Sequence, residues 1–278
     1  MDILVFSAVL CAALMHASWN AIVKNVPDKT AMMTAITLGH LVPAVAIMVA
    51  FPLPSSAELP FLLSGAILRI GYQFLLIRAY HMTDLSAVYP IARGFVPLNI
   101  SLLSIVLFAE RLSLQQYGAM ALILLGLFAM AWRGNLGRKN LYTALLTSGF
   151  ITAYSVSDAW GARSAIHPVT FYGWLSALNA VLFVMSISIS PQRGALRRAF
   201  RLWHLGLLGG LLSFGAYALV IWSYTKAPLA LVSALRESSI IFAALIAIFF
   251  LGERPTRQHL IGVIFIALGA ISLRFVNS

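Results

Sequence analysis

Residues 104–126 read SIVLFAERLSLQQYGAMALILLG, and residues 247–269 read AIFFLGERPTRQHLIGVIFIALG. Each stretch is an apolar run, a short charged turn and a second apolar run. Ala109-Glu110-Arg111-Leu112-Ser113 stands where the second stretch has Gly252-Glu253-Arg254-Pro255-Thr256. The correspondence extends beyond the turn. Arg93, Gln115, Ile123 and Gly126 lie 143 residues before Arg236, Gln258, Ile266 and Gly269. After a one-residue slip, Gly71, Tyr80 and Leu85 lie 144 residues before Gly215, Tyr224 and Leu229. Unrelated apolar helices would coincide on Leu and Ala, not on arginines inside apolar runs and on paired Glu-Arg turns. The chain therefore reads as two copies of one unit, 1–136 and 137–278.

Hydropathy says what each unit contains. Of 278 residues, 61% are apolar and 10% charged, with a mean hydropathy of +0.92. A typical soluble domain carries about 25% charged residues. Apolar segments follow one another at 3–23, 31–52, 61–81, 85–108, 114–132, 141–161, 169–190, 203–224, 228–251 and 258–276. Each is close to the ~20 residues a helix needs to cross ~30 Å of hydrocarbon. Backbone N–H and C=O groups find no water there, so each segment must satisfy itself as a helix. The expected fold class is all-α integral membrane, with ten transmembrane helices as two five-helix repeats. Five is odd, so the second copy enters the membrane from the opposite face. Inverted repeats are a transporter device, because the halves can exchange conformations and open a central site to alternate sides.

The net charge of +11 does not point to nucleic acid. Basic residues sit at segment ends and form no continuous stripe on a soluble domain. Loops on one side carry Lys24, Lys29, Arg133, Arg138, Lys139, Arg193, Arg197, Arg198, Arg201, Arg254 and Arg257, eleven in all. The side of both termini carries four: Arg111, Arg163, Lys226 and Arg274. The positive-inside rule makes the richer side cytoplasmic and places both termini outside. Cys11 stands alone, so no intrachain disulfide forms, and the six histidines show no metal-ligand spacing. No metal or organic cofactor is expected.

The two turns, with His16-Ala17-Ser18-Trp19-Asn20-Ala21-Ile22-Val23-Lys24 as a Trp-centred first helix, resemble the EamA branch of the drug/metabolite transporter superfamily. That branch has ten helices in two repeats, each with a Gly-Glu-Arg-like turn before its last helix. The first turn departs from the pattern only at Ala109. The resemblance covers essentially the whole chain and implies a secondary carrier, often an exporter of amino acids or related metabolites. Residues 84–94, DLSAVYPIARG, resemble a sub-branch linked with phosphonate use.

Ionisable side chains within spans cost roughly 2.5–3.5 kcal/mol on insertion scales, so each needs a partner or a wet cavity. Arg93 and Arg236 each lie nine residues into their segments, about 12 Å from the start at 1.5 Å per residue. In helices of opposite sense they flank the midplane, where an inverted-repeat carrier places its cargo. One reading makes them a clamp on a carboxylate, phosphonate or phosphate through the guanidinium fork. The other makes them structural ion bridges. Segment 4 is expected to be irregular, because Pro90, Gly94 and Pro97 fall together and Pro97 cannot donate to the carbonyl of Arg93. Asp84 reads as its N-cap.

Two acids lie within spans. Glu237 points away from its neighbour Arg236 and faces another element, Arg93 being a candidate. Asp158 lies one turn beyond Tyr154. Either acid is suited to a substrate ammonium or a coupling proton, or to a static counter-ion role for Arg69, Arg93 or Arg236. Trp19, Asn20, Tyr89 and Tyr217 complete the candidate substrate-binding set, with packing as the alternative for each. Gly206, Gly210, Ala119, Gly126, Gly262 and Gly269 read as close helix contacts.

The function these features favour is a permease or exporter of a small polar metabolite, an amino acid or related anionic or zwitterionic compound. It would lie in the bacterial inner membrane, its partners being the metabolite and membrane lipid. A lipid-linked sugar flippase of the same architecture is the alternative. A membrane-embedded enzyme finds no support, since no nucleophile motif, metal spacing or flanking acid pair is present.

Overall fold

A computed structural model describes residues 1–80, 85–131, 138–252 and 255–276, and within these all side chains except those at 80, 85–91, 131, 139 and 251. Asp84, the side chain of Tyr89 and the Glu253-Arg254 pair lie outside the described residues. Thirteen helices run through the described residues. They are α1 (Ile3–Asn25), α2 (Lys29–Gly39), α3 (Leu41–Ala50), α4 (Leu59–Tyr80), α5 (Leu85–Phe108), α6 (Leu114–Ala131) and α7 (Arg138–Ser164). Then follow α8 (Pro168–Ile189), α9 (Gly194–Arg201), α10 (Trp203–Tyr224), α11 (Leu229–Arg236), α12 (Ser239–Leu251) and α13 (Arg257–Phe275).

Local chemistry sets the ends. Asp2 Oδ1 accepts from the backbone N–H of Leu4 at 2.7 Å, and Asp28 Oδ1 from that of Ala31 at 2.9 Å. Both occupy N-cap positions and satisfy otherwise orphaned donors. Gly252 closes α12 in the left-handed region, with φ 65°, and Ala109 follows α5 with φ 50°. The two positions correspond in the repeated turn.

Among the described residues, seven helical runs are long and apolar enough to cross a bilayer: α1, α2 with α3, α4, α8, α10, α11 with α12, and α13. Val49, Ile189, Phe249 and Phe250 are exposed, as expected of side chains facing lipid. The protein is thus an all-helical, multi-pass membrane protein.

Three features differ from the sequence expectation. The proline-rich segment 4 folds as one continuous helix, α5. A proline removes only its own N–H from the ladder, and neighbouring elements let a membrane helix tolerate that. The Ser101 hydroxyl also donates to the Pro97 carbonyl at 2.8 Å. The break occurs instead between α11 and α12. There Glu237 N bonds Ala234 O at 3.0 Å and Ser238 N bonds Leu235 O at 3.1 Å, a tightened three-residue turn. The Ser238 hydroxyl also donates to Leu235 O at 2.7 Å and stabilises that turn. Segment 2 likewise divides at His40, where Pro43 leaves Gly39 O without its ladder donor. Third, α9 is a helix where a basic loop was expected. Ala195 and Ala199 are buried one turn apart, while Arg193, Arg197 and Arg201 are exposed.

The helices pack in a regular set of pairs. α6 lies on α13, α1 on α10, α4 on α7, α2 on α10, and α4 on α8. Further pairs are α5 on α7, α1 on α12, α3 on α8, and α5 on α11. Glycines allow the closest approaches. A Cβ on Gly126 would stand 2.6 Å from Gly262 O, and one on Gly269 2.7 Å from Ala119 O. Between α2 and α10, a Cβ on Gly210 would stand 2.7 Å from the Cα of Gly39. The small-residue stripes are therefore helix contacts, as their spacing predicts.

Candidate functional site

At the centre of the bundle, α1, α2, α4, α7, α8, α10 and α11 surround a cavity of about 90 Å³. Arg69 and Arg236 both line it. Arg69 on α4 is held by Asp158 on α7 through a two-pronged contact. Nη1 donates to Oδ1 at 2.9 Å and Nη2 to Oδ2 at 2.7 Å. The Tyr217 hydroxyl donates to the same Oδ2 at 2.5 Å. Gly65 makes this approach possible, since a Cβ there would stand 2.9 Å from Asp158 Oδ1. The Arg69 guanidinium carbon also lies 4.9 Å from the Tyr154 ring centroid and 4.7 Å from that of Tyr217. Bidentate, hydrogen-bonded and stacked on two rings, Arg69 is a neutralised pillar of the wall.

Arg236 is different. It ends α11, is 9% exposed, and lies 5.2 Å above the Tyr217 ring. Nη1 donates to the Tyr224 hydroxyl at a long 3.4 Å. No carboxylate among the described residues lies within ion-pair distance of it. Tyr217 therefore separates one neutralised guanidinium from one that faces the cavity without a counter-charge.

Arg93 and Glu237 form a second buried pair beside the cavity, Nε to Oε2 at 2.9 Å. Arg93 Nη2 also donates to Ser239 Oγ at 3.4 Å, and Nη1 reaches His16 Nε2 at 3.2 Å. Trp19 Nε1 approaches His16 Nδ1 at 3.3 Å. A neutral imidazole carries one proton, so it accepts from only one of these donors at a time. Asn20 donates to the His16 carbonyl at 2.8 Å.

Another part of the wall is polar and uncharged. The Gln73 amide nitrogen donates to Thr37 Oγ1 at 3.2 Å, and Asn179 Nδ2 donates to Gln73 Oε1 at 3.2 Å. Ser176 Oγ and His40 Nδ1 lie 3.2 Å apart, while His40 Nε2 is buried with no hydrogen-bond partner among the described residues.

Of the residues singled out from sequence, Trp19, Tyr217 and Arg236 line the cavity. Asp158 lies directly behind it, fully buried, and Glu237 is committed to Arg93. Arg93 contacts the cavity-lining His16 ring, Asn20 bonds the His16 backbone and does not line the cavity, and the side chain of Tyr89 lies outside the described residues. The paired Arg93 and the open Arg236 are not geometrically equivalent. Sequence reasoning passed over His16, His40, Gln73 and Asn179. Gln73 had a readable signal, being an amide one turn after Arg69 on the same helix face.

Comparisons with known proteins agree with this architecture. A solved crystal structure superposes over 99% of this chain and 98% of its own, with a TM-score of 0.73 and 19% sequence identity. That likeness shows a shared fold. A protein of Listeria monocytogenes, provisionally named a sugar uptake protein, is 22% identical over 231 residues, spanning 77% of this chain and 78% of its own length. Residues 140–275 match the EamA-like transporter family. The repeated Glu-Arg turns and the all-helical membrane fold are in keeping with that match, which spans 136 of the 278 residues.

Proposed function

We propose that the protein is a secondary carrier that moves a small polar metabolite across the membrane by alternating access. Its cargo site is the central cavity, with Arg236 holding the anionic end. The observation that carries this reading is a buried guanidinium on the cavity wall whose contacts are a tyrosine ring and one long hydrogen bond. Leaving a charge in that state is expensive, and a bound anion removes the cost.

The two-unit reading is supported by the packing. Number the long helical runs from each unit's start and exchange the units. Then α1 on α10 becomes α7 on α4, α5 on α7 becomes α12 on α1, and α2 on α10 becomes α8 on α4; all are observed pairs. The pairs α6 with α13, α3 with α8, and α5 with α11 map onto themselves. Matching left-handed residues at Ala109 and Gly252 fit the same relation. In this reading α5, α6 and α7 supply three further spans, giving ten, and units 1–136 and 137–278 cross the membrane in opposite senses. The basic-residue count places both termini outside the cytoplasm. The sugar-uptake name of the Listeria relative is in keeping with a polar cargo.

Alternating access can be tested without knowing the cargo. Ser213 lines the cavity. A Ser213→Cys variant in a Cys11→Ser background should react with a membrane-impermeant maleimide added from either face of oriented vesicles. Labelling from one face alone, or from neither, under all conditions would contradict a carrier cycle.

A further inference from the structure

The identity of the groups that do not face the cavity narrows the cargo. The sequence has eight Asp and Glu residues, six of them among the described residues. All six are engaged. Asp2 and Asp28 cap helices, and Asp28 also binds Arg198. Glu58 accepts from Ser55, and Glu110 binds Arg163. Asp158 and Glu237, the two nearest the cavity, are each committed to an arginine. Among the described residues the cavity wall holds two guanidiniums and no carboxylate. An ammonium group placed there would meet like charge at low dielectric, with no acid to receive it. The rings of Tyr154 and Tyr217, whose faces attract cations, already face Arg69 and Arg236.

The uncharged part of the wall has its own demand. His40 Nε2 is buried and unpartnered. Asn179 Nδ2 donates to Gln73 Oε1 and, at 3.4 Å, to Ala66 O, and Gln73 Nε2 donates to Thr37, which leaves the Asn179 carbonyl oxygen and one Gln73 N–H among their capacity. Such mixed donor and acceptor groups match hydroxyls, which serve in both roles. The cavity of about 90 Å³ has room for several waters, the scale of a small solute.

We infer that the cargo is a small hydroxylated monoanion, its carboxylate on Arg236 and its hydroxyls on the Gln73, Asn179 and His40 wall, and not a zwitterionic amino acid. This rests on the reading of the cavity as the cargo site. The Ser213 labelling test judges that reading separately, because it uses no ligand.

A set of near-isosteres isolates each element of the inference. D-Glycerate carries the carboxylate and two hydroxyls. D-Serine replaces the 2-hydroxyl with an ammonium, glycerol lacks the carboxylate, and propionate lacks the hydroxyls. D-Erythronate extends glycerate by one carbon. Binding of each to the purified full chain in lipid nanodiscs, by calorimetry and thermal shift, should favour glycerate or erythronate over the other three by about tenfold or more. That binding should be lost in Arg236→Gln and weakened in Asn179→Leu. Serine binding as tightly as glycerate would overturn the inference, and so would undetectable binding of both hydroxy acids at millimolar concentration. Unchanged hydroxy-acid affinity in a folded Arg236→Gln protein would also overturn it. Should that variant fail to fold, the comparison of ligands on the unaltered chain still decides.

Discussion

Replacing Asp158 with Asn changes almost no volume and removes one charge, and the structure says what that charge holds. Asp158 accepts two charge-assisted bonds from Arg69, at 2.9 and 2.7 Å, and one from the Tyr217 hydroxyl at 2.5 Å. Its own side chain is fully buried and that of Arg69 is 12% exposed. Breaking a buried pair by removing one partner typically costs 3–5 kcal/mol, because the remaining charge is left uncompensated. The slight exposure of Arg69 moves the expectation to the lower part of that range, about 3 kcal/mol. Its contacts with the Tyr154 and Tyr217 rings persist in the variant and cancel from the difference. The assay is reversible unfolding of the purified protein in mixed micelles, followed by tryptophan fluorescence. Two controls sharpen it. An Arg69→Met, Asp158→Leu double variant should recover most of the loss, since both desolvation penalties vanish together. Arg236→Gln, which removes a guanidinium with no carboxylate partner among the described residues, should stay within about 1 kcal/mol of the parent or exceed it, since it strands no counter-ion. The reasoning is refuted if Asp158→Asn matches the parent, or if Arg236→Gln is destabilised as much as Asp158→Asn.

Three further outcomes follow from other parts of the fold. Ala109 holds a left-handed φ of 50° where the second unit has Gly252, so Ala109→Gly should raise unfolding stability by up to about 1 kcal/mol in the same assay. Gly118 has nothing within 4 Å of a built Cβ, whereas Gly126 would meet Gly262 O at 2.6 Å. Gly118→Ala should therefore be neutral or gain about 0.5–1 kcal/mol from helix propensity, and Gly126→Ala should lose about 1–3 kcal/mol from overpacking; equal effects would count against the α6–α13 packing. A green fluorescent protein fused after Ser278 should be dark, and a periplasmic phosphatase fused there active, because eleven basic loop residues lie opposite the termini and four beside them.

Local regularities carried much of this protein in the sequence alone. The lengths of the apolar runs determined a helical membrane fold, because unpaired backbone groups are too costly in hydrocarbon for irregular alternatives. The repeated Ala109-Glu110-Arg111 and Gly252-Glu253-Arg254 turns, with the matching Arg93 and Arg236, carried the two-unit reading and the family resemblance. The glycine stripes marked close helix contacts, because only missing side chains let two helical backbones approach so closely, and the structure supplied the partner, α6 on α13. Even the surplus of cations over acids within the spans was legible, since Arg69, Arg78, Arg93 and Arg236 outnumber Asp158 and Glu237.

What no run of residues states is which arginine is left facing the cavity without a carboxylate. That depends on helices far apart in the chain: Arg69 meets Asp158 across 89 residues and Arg93 meets Glu237 across 144. Hydropathy constrains depth along a helix and leaves its rotation and neighbours free, so only the packed bundle decides that Arg236 faces the cavity. The same holds for the helix break. Proline content pointed to α5, yet the helix is interrupted at Glu237-Ser238, where the serine hydroxyl satisfies a carbonyl. His40, Gln73 and Asn179 become one wall only when α2, α4 and α8 converge. Tertiary structure chooses partners because charge pairing and close packing act between side chains in space, whereas sequence periodicity acts only within one helix.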